Sequence, residues 1–338
     1  MTSVPTTSIA LCTYNGERFL PSQLESLLRQ TQLPDELIVC DDNSTDGTVK
    51  VLEKFAQKAP FKVQIFVNKT SIGVVKNFES AATYCQNELI FFCDQDDLWM
   101  PTKIEKQTQF LTQNSDIQVV FSNLDLVDEL LNPLRKTMWE EVRFRKKQQK
   151  QWNTGKAVKV LLQGNRVSGC SMAIRKTFLE KVLPFPTQPA GFIHDAYLAL
   201  AAALTDQISF LEESLVFYRQ HETQQIGTRP NEKPEEVAIH QRFQREREEK
   251  LAPLRQQAQY WKQVFDQVKH LTLTDDPRTQ SIKQFISFLQ MRSTLPKLHL
   301  MRLVPIVKHF WKGNYTRFKD QDANWYAGYL AALGDLIE

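Results

Sequence analysis

The chemistry of this chain is concentrated at Phe91–Asp97, FFCDQDD, where an apolar run stops at three carboxylates. In an extended chain residues two apart point to the same side, so Asp94 and Asp96 are expected to face together. Two carboxylates about 4 Å apart repel by roughly 4 kcal/mol at an effective dielectric of about 20. Such a pair has to be wet, share a proton, or hold a cation. Oxygen-only ligands suit a hard ion, Mg²⁺ or Mn²⁺. A DxD alone is more often a solvated acidic loop, so the surrounding elements must decide.

Those elements alternate. Ser8–Asn15 reads as an apolar strand, and Glu17–Gln30 carries Phe19, Leu20, Leu24, Leu27 and Leu28 at helical spacing. Strands are expected at Glu36–Asp42, Lys62–Asn68, Glu88–Asp94 and Val119–Val127. Helices are expected from Ser44–Asp46 to Lys58, over Ile72–Gln86, and from Pro101 to Asn114. This alternation predicts an α/β fold, a mostly parallel sheet flanked by helices. Ligands bind such sheets at the carboxyl ends of the strands. Thr13, Tyr14 and Asn15 stand there after the first strand, Asp41 and Asp42 after the second, Asn68 after the third, and Asp94, Asp96 and Asp97 after the fourth. Asn165–Arg175 reads as a further strand, with a glycine that permits close approach. His194–Thr205 reads as an apolar helix and Ile208–Gln220 as a strand. The basic run 143–151 reads as a solvated face or as a flap that meets phosphate. Residues 234–270 read as long helices.

With 338 residues, 42% of them hydrophobic and 24% charged, the chain can bury a large core. A net charge of +3 gives no argument for nucleic acid. The five cysteines form no CxxC or Cys/His cluster and read as free core thiols in a reducing compartment. The N-terminus lacks the pattern of a signal peptide, and no uncharged run reaches the ~18–20 residues of a membrane span. A cytoplasmic protein is expected, with contact to the inner membrane face left open. The turn after the first strand, TYNGERF, is neither GxGxxG nor a P-loop, which argues against dinucleotide and P-loop ATPase sites. An aspartyl phosphatase would carry its DxD after the first strand rather than the fourth.

Taken in order, CTYNGERFL (12–20), ELIVCDDNSTDGT (36–48), NKTSIGVVKNF (68–78), FFCDQDDLWMPTKIEKQ (91–107), GCSMAIRK (169–176), FIHDAYLAL (192–200) and VFYRQHETQQIG (216–227) resemble the family 2 glycosyltransferases of GT-A fold. The resemblance covers about residues 5–228, and HD followed by YRQH is most similar to the bacterial rhamnosyltransferase-like branch. It implies a catalytic domain at 1–228 and a helical appendage at 229–338. It implies inverting transfer from a nucleoside-diphosphate sugar, dTDP-rhamnose or a UDP-sugar, to a saccharide or lipid-linked acceptor in cell-surface polysaccharide synthesis.

The resemblance also distributes roles. Thr13, Tyr14 and Asn15 match the first nucleotide-contacting loop, and Asp41 and Asp42 match the positions that grip base and ribose. Lys76 and Asn77 lie where the base or diphosphate approaches. Asp94 falls nearer the ribose and Asp96 nearer the metal, with Asp97 open to either shell. Asp195 matches the catalytic base. His194 stands where many members have glutamate, facing the acceptor or orienting Asp195. His221 is a candidate metal ligand and Arg219 a candidate diphosphate ligand. Trp99 is either a sugar-stacking ring or core, and Gly169 and Cys170 are assigned to the acceptor side.

The processive members' QxxRW motif is absent, which favours single addition. Two other classes compete: a catalytically silent nucleotide-sugar-binding module on the same fold, and a sugar nucleotidyltransferase, whose glycine-rich loop TYNGER does not supply. Residues 296–318 mix Lys297, Arg302, Lys308, Lys312 and Arg317 with Leu300, Leu303, Val307, Phe310 and Trp311. That composition fits either a peripheral membrane contact or a helix packed on the catalytic domain.

Overall fold

A computed structural model describes residues 4–222, 224, 247–319 and 324–337. The expected domain boundary at 228/229 and the helix expected over 234–246 lie outside the described residues. The chain divides into two compact units. One comprises residues 1–157 and 165–228, the other residues 158–164 and 229–338.

Among the described residues the first unit is built on nine strands: β1 (Thr7–Thr13), β2 (Glu36–Asp41), β3 (Lys62–Val67), β4 (Leu89–Cys93), β5 (Leu98–Trp99), β6 (Val119–Val127), β7 (Pro133–Thr137), β8 (Met172–Arg175) and β9 (Ile208–Arg219). Their order is β3-β2-β1-β4-β8-β6-β9-β5, with β7 on the side of β6. β1–β4 pair in parallel, β6 pairs in parallel with β9, and β8 runs antiparallel between β4 and β6. Every residue of β1, β2 and β4 is buried, as a sheet covered on both faces requires. Its longer helices are α1 (Leu20–Leu28), α2 (Thr48–Ala56), α3 (Val74–Tyr84), α4 (Lys103–Gln113), α5 (Lys176–Val182) and α6 (His194–Leu204). The core beneath α1 and β4 joins Leu20, Leu24 and Leu27 to Ile9, Leu11, Phe91 and Trp99.

Three expectations are corrected. The strand predicted over 165–175 is confined to Met172–Arg175, because Gly169–Ser171 turns as a single 3₁₀ turn. The basic run 143–151 is not a flap. Phe144 is 1% exposed and packs edge-on to Trp139, Trp152 and Phe210, which anchors the run while Lys146–Gln151 forms a short helix. Trp99 is core: it is 3% exposed, lies beside Phe91 and receives the Lys103 ammonium 4.5 Å above its ring. A ring so enclosed cannot stack on a sugar. Trp99→Phe is therefore expected to cost about 1–2 kcal/mol of stability, read by thermal unfolding, with donor KM unchanged. A tenfold rise in KM would restore the stacking role.

The second unit is helical: α7 (Arg247–Val268), α8 (Pro277–Ser293), α9 (His299–Trp311) and α10 (Ala327–Ile337). Phe288, Leu295, Ile306, Tyr315 and Ala332 form its inner cluster. Among the described residues no helix is long and apolar enough to cross a membrane.

Candidate active site

The chain leaves β1, β2 and β4 at their carboxyl ends, and these exits meet the start of α6 around a cavity of about 700 Å³. Its wall contains Thr13, Tyr14, Asn15, Asp42, Asn77, Asp94, Asp96, Gly169, His194, Asp195 and His221. Eleven of the residues singled out in the sequence thus share one wall, although they come from separate segments. Asp41, Lys76, Trp99, Cys170 and Arg219 lie outside it.

The acidic turn does not follow strand alternation. β4 ends at Cys93 and the chain bends through Gln95 and Asp96. Asp94 instead gathers with Asp97 and Cys170, their ligand atoms within 4.8 Å of one another. Asp96 Oδ2 meets His221 Nε2 at 2.9 Å. Burial, then the charges of Asp96 and Asp195, pushes Asp94 up to about 7. Asp97 is driven well above the usual carboxylate range by burial, then by Asp96 and Asp94. This crowding of carboxylates is what a divalent cation relieves. Among the described residues the group close enough to share one ion is Asp94, Asp97 and Cys170, while Asp96 and His221 pair with each other on the same cavity wall as Asp94; carboxylate and imidazole donors are of the kind that suits Mg²⁺ or Mn²⁺.

Arg219 does not reach into the cavity. Its guanidinium donates to the carbonyls of Asp96 (2.8 Å) and Glu129 (2.7 Å) and to Ser22 Oγ (2.9 Å). Its backbone N–H donates to Asp97 Oδ1 at 3.2 Å. A side chain with its fork so engaged positions the acidic turn rather than meeting diphosphate. Gln95, which sequence reasoning missed, ties the same turn to the β1 exit: it accepts from the Tyr14 N–H at 2.8 Å and donates to the Tyr14 carbonyl at 3.0 Å. A Cβ on Gly16 would stand 2.2 Å from Gln95 Oε1, so this clamp needs glycine there.

The β2 exit separates its two aspartates. Asp41 is fully buried and accepts from Thr13 Oγ1 (2.6 Å), Ser44 N–H (2.8 Å) and Ser44 Oγ (2.6 Å). It braces β1 against β2 and is not available to a ribose. Asp42 reaches the cavity wall but holds the loop before α3, accepting from Asn68 Nδ2 (2.9 Å), Ser71 Oγ (2.7 Å), Ile72 N–H (2.7 Å) and Gly73 N–H (3.0 Å). Burial opposes its charge, but those donors together hold its carboxyl below the ordinary value. Asn77 donates to the Cys40 carbonyl at 2.8 Å and accepts from Asn68 at 3.0 Å. Lys76 pairs with Glu79 at 2.8 Å instead of facing a ligand.

Asp195 lies in the first turn of α6, where the helix dipole favours an anion. Burial nevertheless lifts it to about 7, against the opposing pull of the Ala196 and Gly169 N–H groups and Asn165. Asn165 Nδ2 donates to Asp195 Oδ1 at 3.2 Å, a partner with no signal in the sequence. His194 does not hydrogen-bond Asp195. Its ring stacks on Phe78 at 4.2 Å, neither nitrogen has a partner among the described residues, and burial holds it down to about 3, neutral at pH 7. A Cβ on Gly169 would lie 2.7 Å from His194 Nε2, so the glycine admits this imidazole. Cys170, expected on the acceptor side, is 1% exposed and belongs to the layer beneath the carboxylates. Lys103, also missed, is fully buried in that region and donates to Gln107 Oε1 at 2.6 Å. Burial takes its ammonium down to about 7.

The family model of Glycosyl transferase family 2 matches residues 8–183, just over half of the 338-residue chain. The chain belongs to glycosyltransferase family 2. Escherichia coli WfgD, a UDP-Glc:α-D-GlcNAc-diphosphoundecaprenol β-1,3-glucosyltransferase, is 32% identical over 122 residues, 36% of this chain and 46% of WfgD. Staphylococcus aureus TarS (residues 1–349, with UDP-GlcNAc) superposes with a TM-score of 0.54 at 16% identity, over 98% of this chain and 81% of that one. Pyrobaculum calidifontis mannosyltransferase PcManGT, with GDP-Man and Mn²⁺, gives 0.51 at 15% identity, over 98% and 80%. These likenesses establish the GT-A fold of this family 2 glycosyltransferase. The chain spans 46–64% of the length of the first curated relatives it matches.

Proposed function

We propose that this glycosyltransferase moves one sugar, with inversion, from a nucleoside-diphosphate sugar to an acceptor hydroxyl in cell-surface polysaccharide synthesis. The observation that carries the reading is the shared cavity wall, with Asp94, Asp96 and His221 beside Thr13–Asn15 and Asp195 among them. dTDP-rhamnose or a UDP-sugar is the favoured donor class. A saccharide or lipid-linked acceptor is the favoured acceptor, as for WfgD.

The residues divide the work as follows. Asp195 takes the proton of the acceptor hydroxyl, whose oxygen attacks the anomeric carbon as its bond to the diphosphate breaks. The sugar joins the acceptor, and the nucleoside diphosphate leaves with the electron pair. A divalent cation held by Asp94, Asp96 and His221 would supply charge that stabilises this leaving group. Thr13–Asn15 and the loop fixed by Asp42 form the wall assigned to the nucleotide. Arg219 and Gln95 keep the acidic turn in place, which spares reorganisation during reaction.

The elevated Asp195 carboxyl gives a pH prediction. A base must be ionised to act, and protonation below its own titration removes it. Transfer at saturating donor is expected to fall about tenfold per pH unit below about pH 7 and to level off above it. A flat kcat profile from pH 5 to 8 would remove Asp195 as the base.

A thermal-shift screen of nucleotide sugars with Mn²⁺ or Mg²⁺, followed by turnover assay, tests the function. Selective stabilisation by one donor class with product formation is expected. Stabilisation without turnover would leave a silent binding module, and no stabilisation by any donor would refute the reading.

A further inference from the structure

Helix α9 is inside out. Its buried positions are Arg302, Ile306 and His309, two of them polar. Most of its exposed positions are apolar: Leu300 is 83% exposed, Val304 75% and Trp311 84%. Arg302, expected on a basic outer face, is 4% exposed instead. It donates to the carbonyls of Pro296 (2.7 Å) and Lys297 (3.0 Å) and, at 3.4 Å, to those of Asp335 and Leu336 at the end of α10. His309 Nδ1 shares a 2.8 Å hydrogen bond with Asn314 Nδ2. The polar groups are satisfied inward, and the apolar stripe is left to face outward.

α10 repeats the pattern. Tyr329, Leu330, Leu333 and Ile337 are 49–53% exposed and recur at helical spacing along one side. The two stripes are continuous: the Phe310 and Tyr329 rings lie 5.4 Å apart, and Trp325 is 6.0 Å from Tyr329. An exposed apolar surface of this extent marks an interaction site. Its surroundings choose the partner. Residues 296–319 contain six lysines and arginines and no Asp or Glu. Lys297, Lys308 and Lys312 are exposed beside the stripe. Apolar side chains with tryptophan and tyrosine at the margin and lysine around them are the composition of a surface that lies in a lipid headgroup layer. The same lysines set face to face would repel a second copy of the chain.

We infer that α9 and α10 together form a bilayer-docking face for anionic lipid. The face stands apart from the transferase reading, since it contains none of the cavity residues. It inserts Leu300, Val304, Trp311 and the α10 stripe at the headgroup boundary and lays its lysines against lipid phosphate.

Sedimentation of the full chain with vesicles tests this, using phosphatidylcholine alone and phosphatidylcholine with one third phosphatidylglycerol. Binding to the anionic vesicles, weakened by salt, is expected. Lys297, Lys308 and Lys312 changed together to Gln should lower partition on the order of 100-fold. Leu300→Ser with Trp311→Ser should abolish it while leaving the melting temperature unchanged, since both side chains are outward. No binding to anionic vesicles would overturn the inference. So would binding that both variants retain, or a lipid-free dimer that the Ser variant converts to monomer, which would assign the face to a second copy.

Discussion

Asp195→Asn should leave donor binding intact and reduce transfer by roughly 10²–10⁴-fold, the usual contribution of a general base. The substitution keeps the size of the side chain and its amide oxygen can still accept from the Ala196 and Gly169 N–H groups, so α6 should start as before. What it loses is the ability to take a proton from the acceptor. The defect therefore belongs in kcat, with donor KM and donor-induced thermal stabilisation close to those of the parent. The share of the pH dependence below about 7 that Asp195 sets should disappear with it, leaving the contribution of Asp94, which burial also lifts to about 7. Comparable turnover by Asp195→Asn would assign proton transfer elsewhere. Loss of donor stabilisation would mean that Asp195 holds substrate or fold.

Asp96→Ala should fail differently. Asp96 lines the cavity and meets His221 at 2.9 Å, so its removal takes one carboxylate from the proposed ion and one hydrogen bond from the imidazole. A metal's stabilisation of a departing charged group is worth several kcal/mol, or on the order of 10³-fold in rate. Asp96→Ala is expected to lose that factor together with Mn²⁺-dependent donor stabilisation. The parent should be inactivated by EDTA and recover when Mg²⁺ or Mn²⁺ is returned. Removing Asp96 also relieves charge on Asp94, so the variant need not melt lower than the parent without metal. Unchanged turnover in Asp96→Ala, or full activity in EDTA, would contradict the metal assignment.

The contrast between these variants reflects what the sequence could reveal. The parallel strands were legible because β1, β2 and β4 are continuous apolar runs that end in polar residues, and strand ends in such sheets open onto one edge. β6 was legible to the residue. The antiparallel β8 between β4 and β6 was not, since a four-residue strand preceded by a turn has no periodicity to read. Nor was the division of labour among polar residues at the edge. Asp41 and Asp42 are neighbours, yet one braces β1 and the other faces the cavity. Arg219 and His221 lie two apart, yet one clamps the acidic turn from behind while the other meets Asp96. Trp99 follows the carboxylates in sequence but turns into the core. Such outcomes depend on which hydrogen-bond partners approach from distant segments: Asn165 on Asp195, Gln95 on Tyr14, Ser22 on Arg219. Local sequence does not encode those approaches. The outward stripe of α9 was only half visible for the same reason. The apolar and basic residues were evident, but the burial of Arg302 depends on the end of α10.

The central claim is that the acidic turn carrying Asp94 and Asp96 and the imidazole of His221, from a separate segment, converge to hold a divalent ion against a nucleoside diphosphate. Anomalous diffraction from crystals grown with Mn²⁺ and UDP or dTDP tests it most directly. The account predicts one manganese peak bound by Asp96 and His221 with Asp94 beside it, and diphosphate oxygens on its open side. Nucleotide bound in the cavity with no manganese there, or manganese bound only at other surface carboxylates, would contradict it.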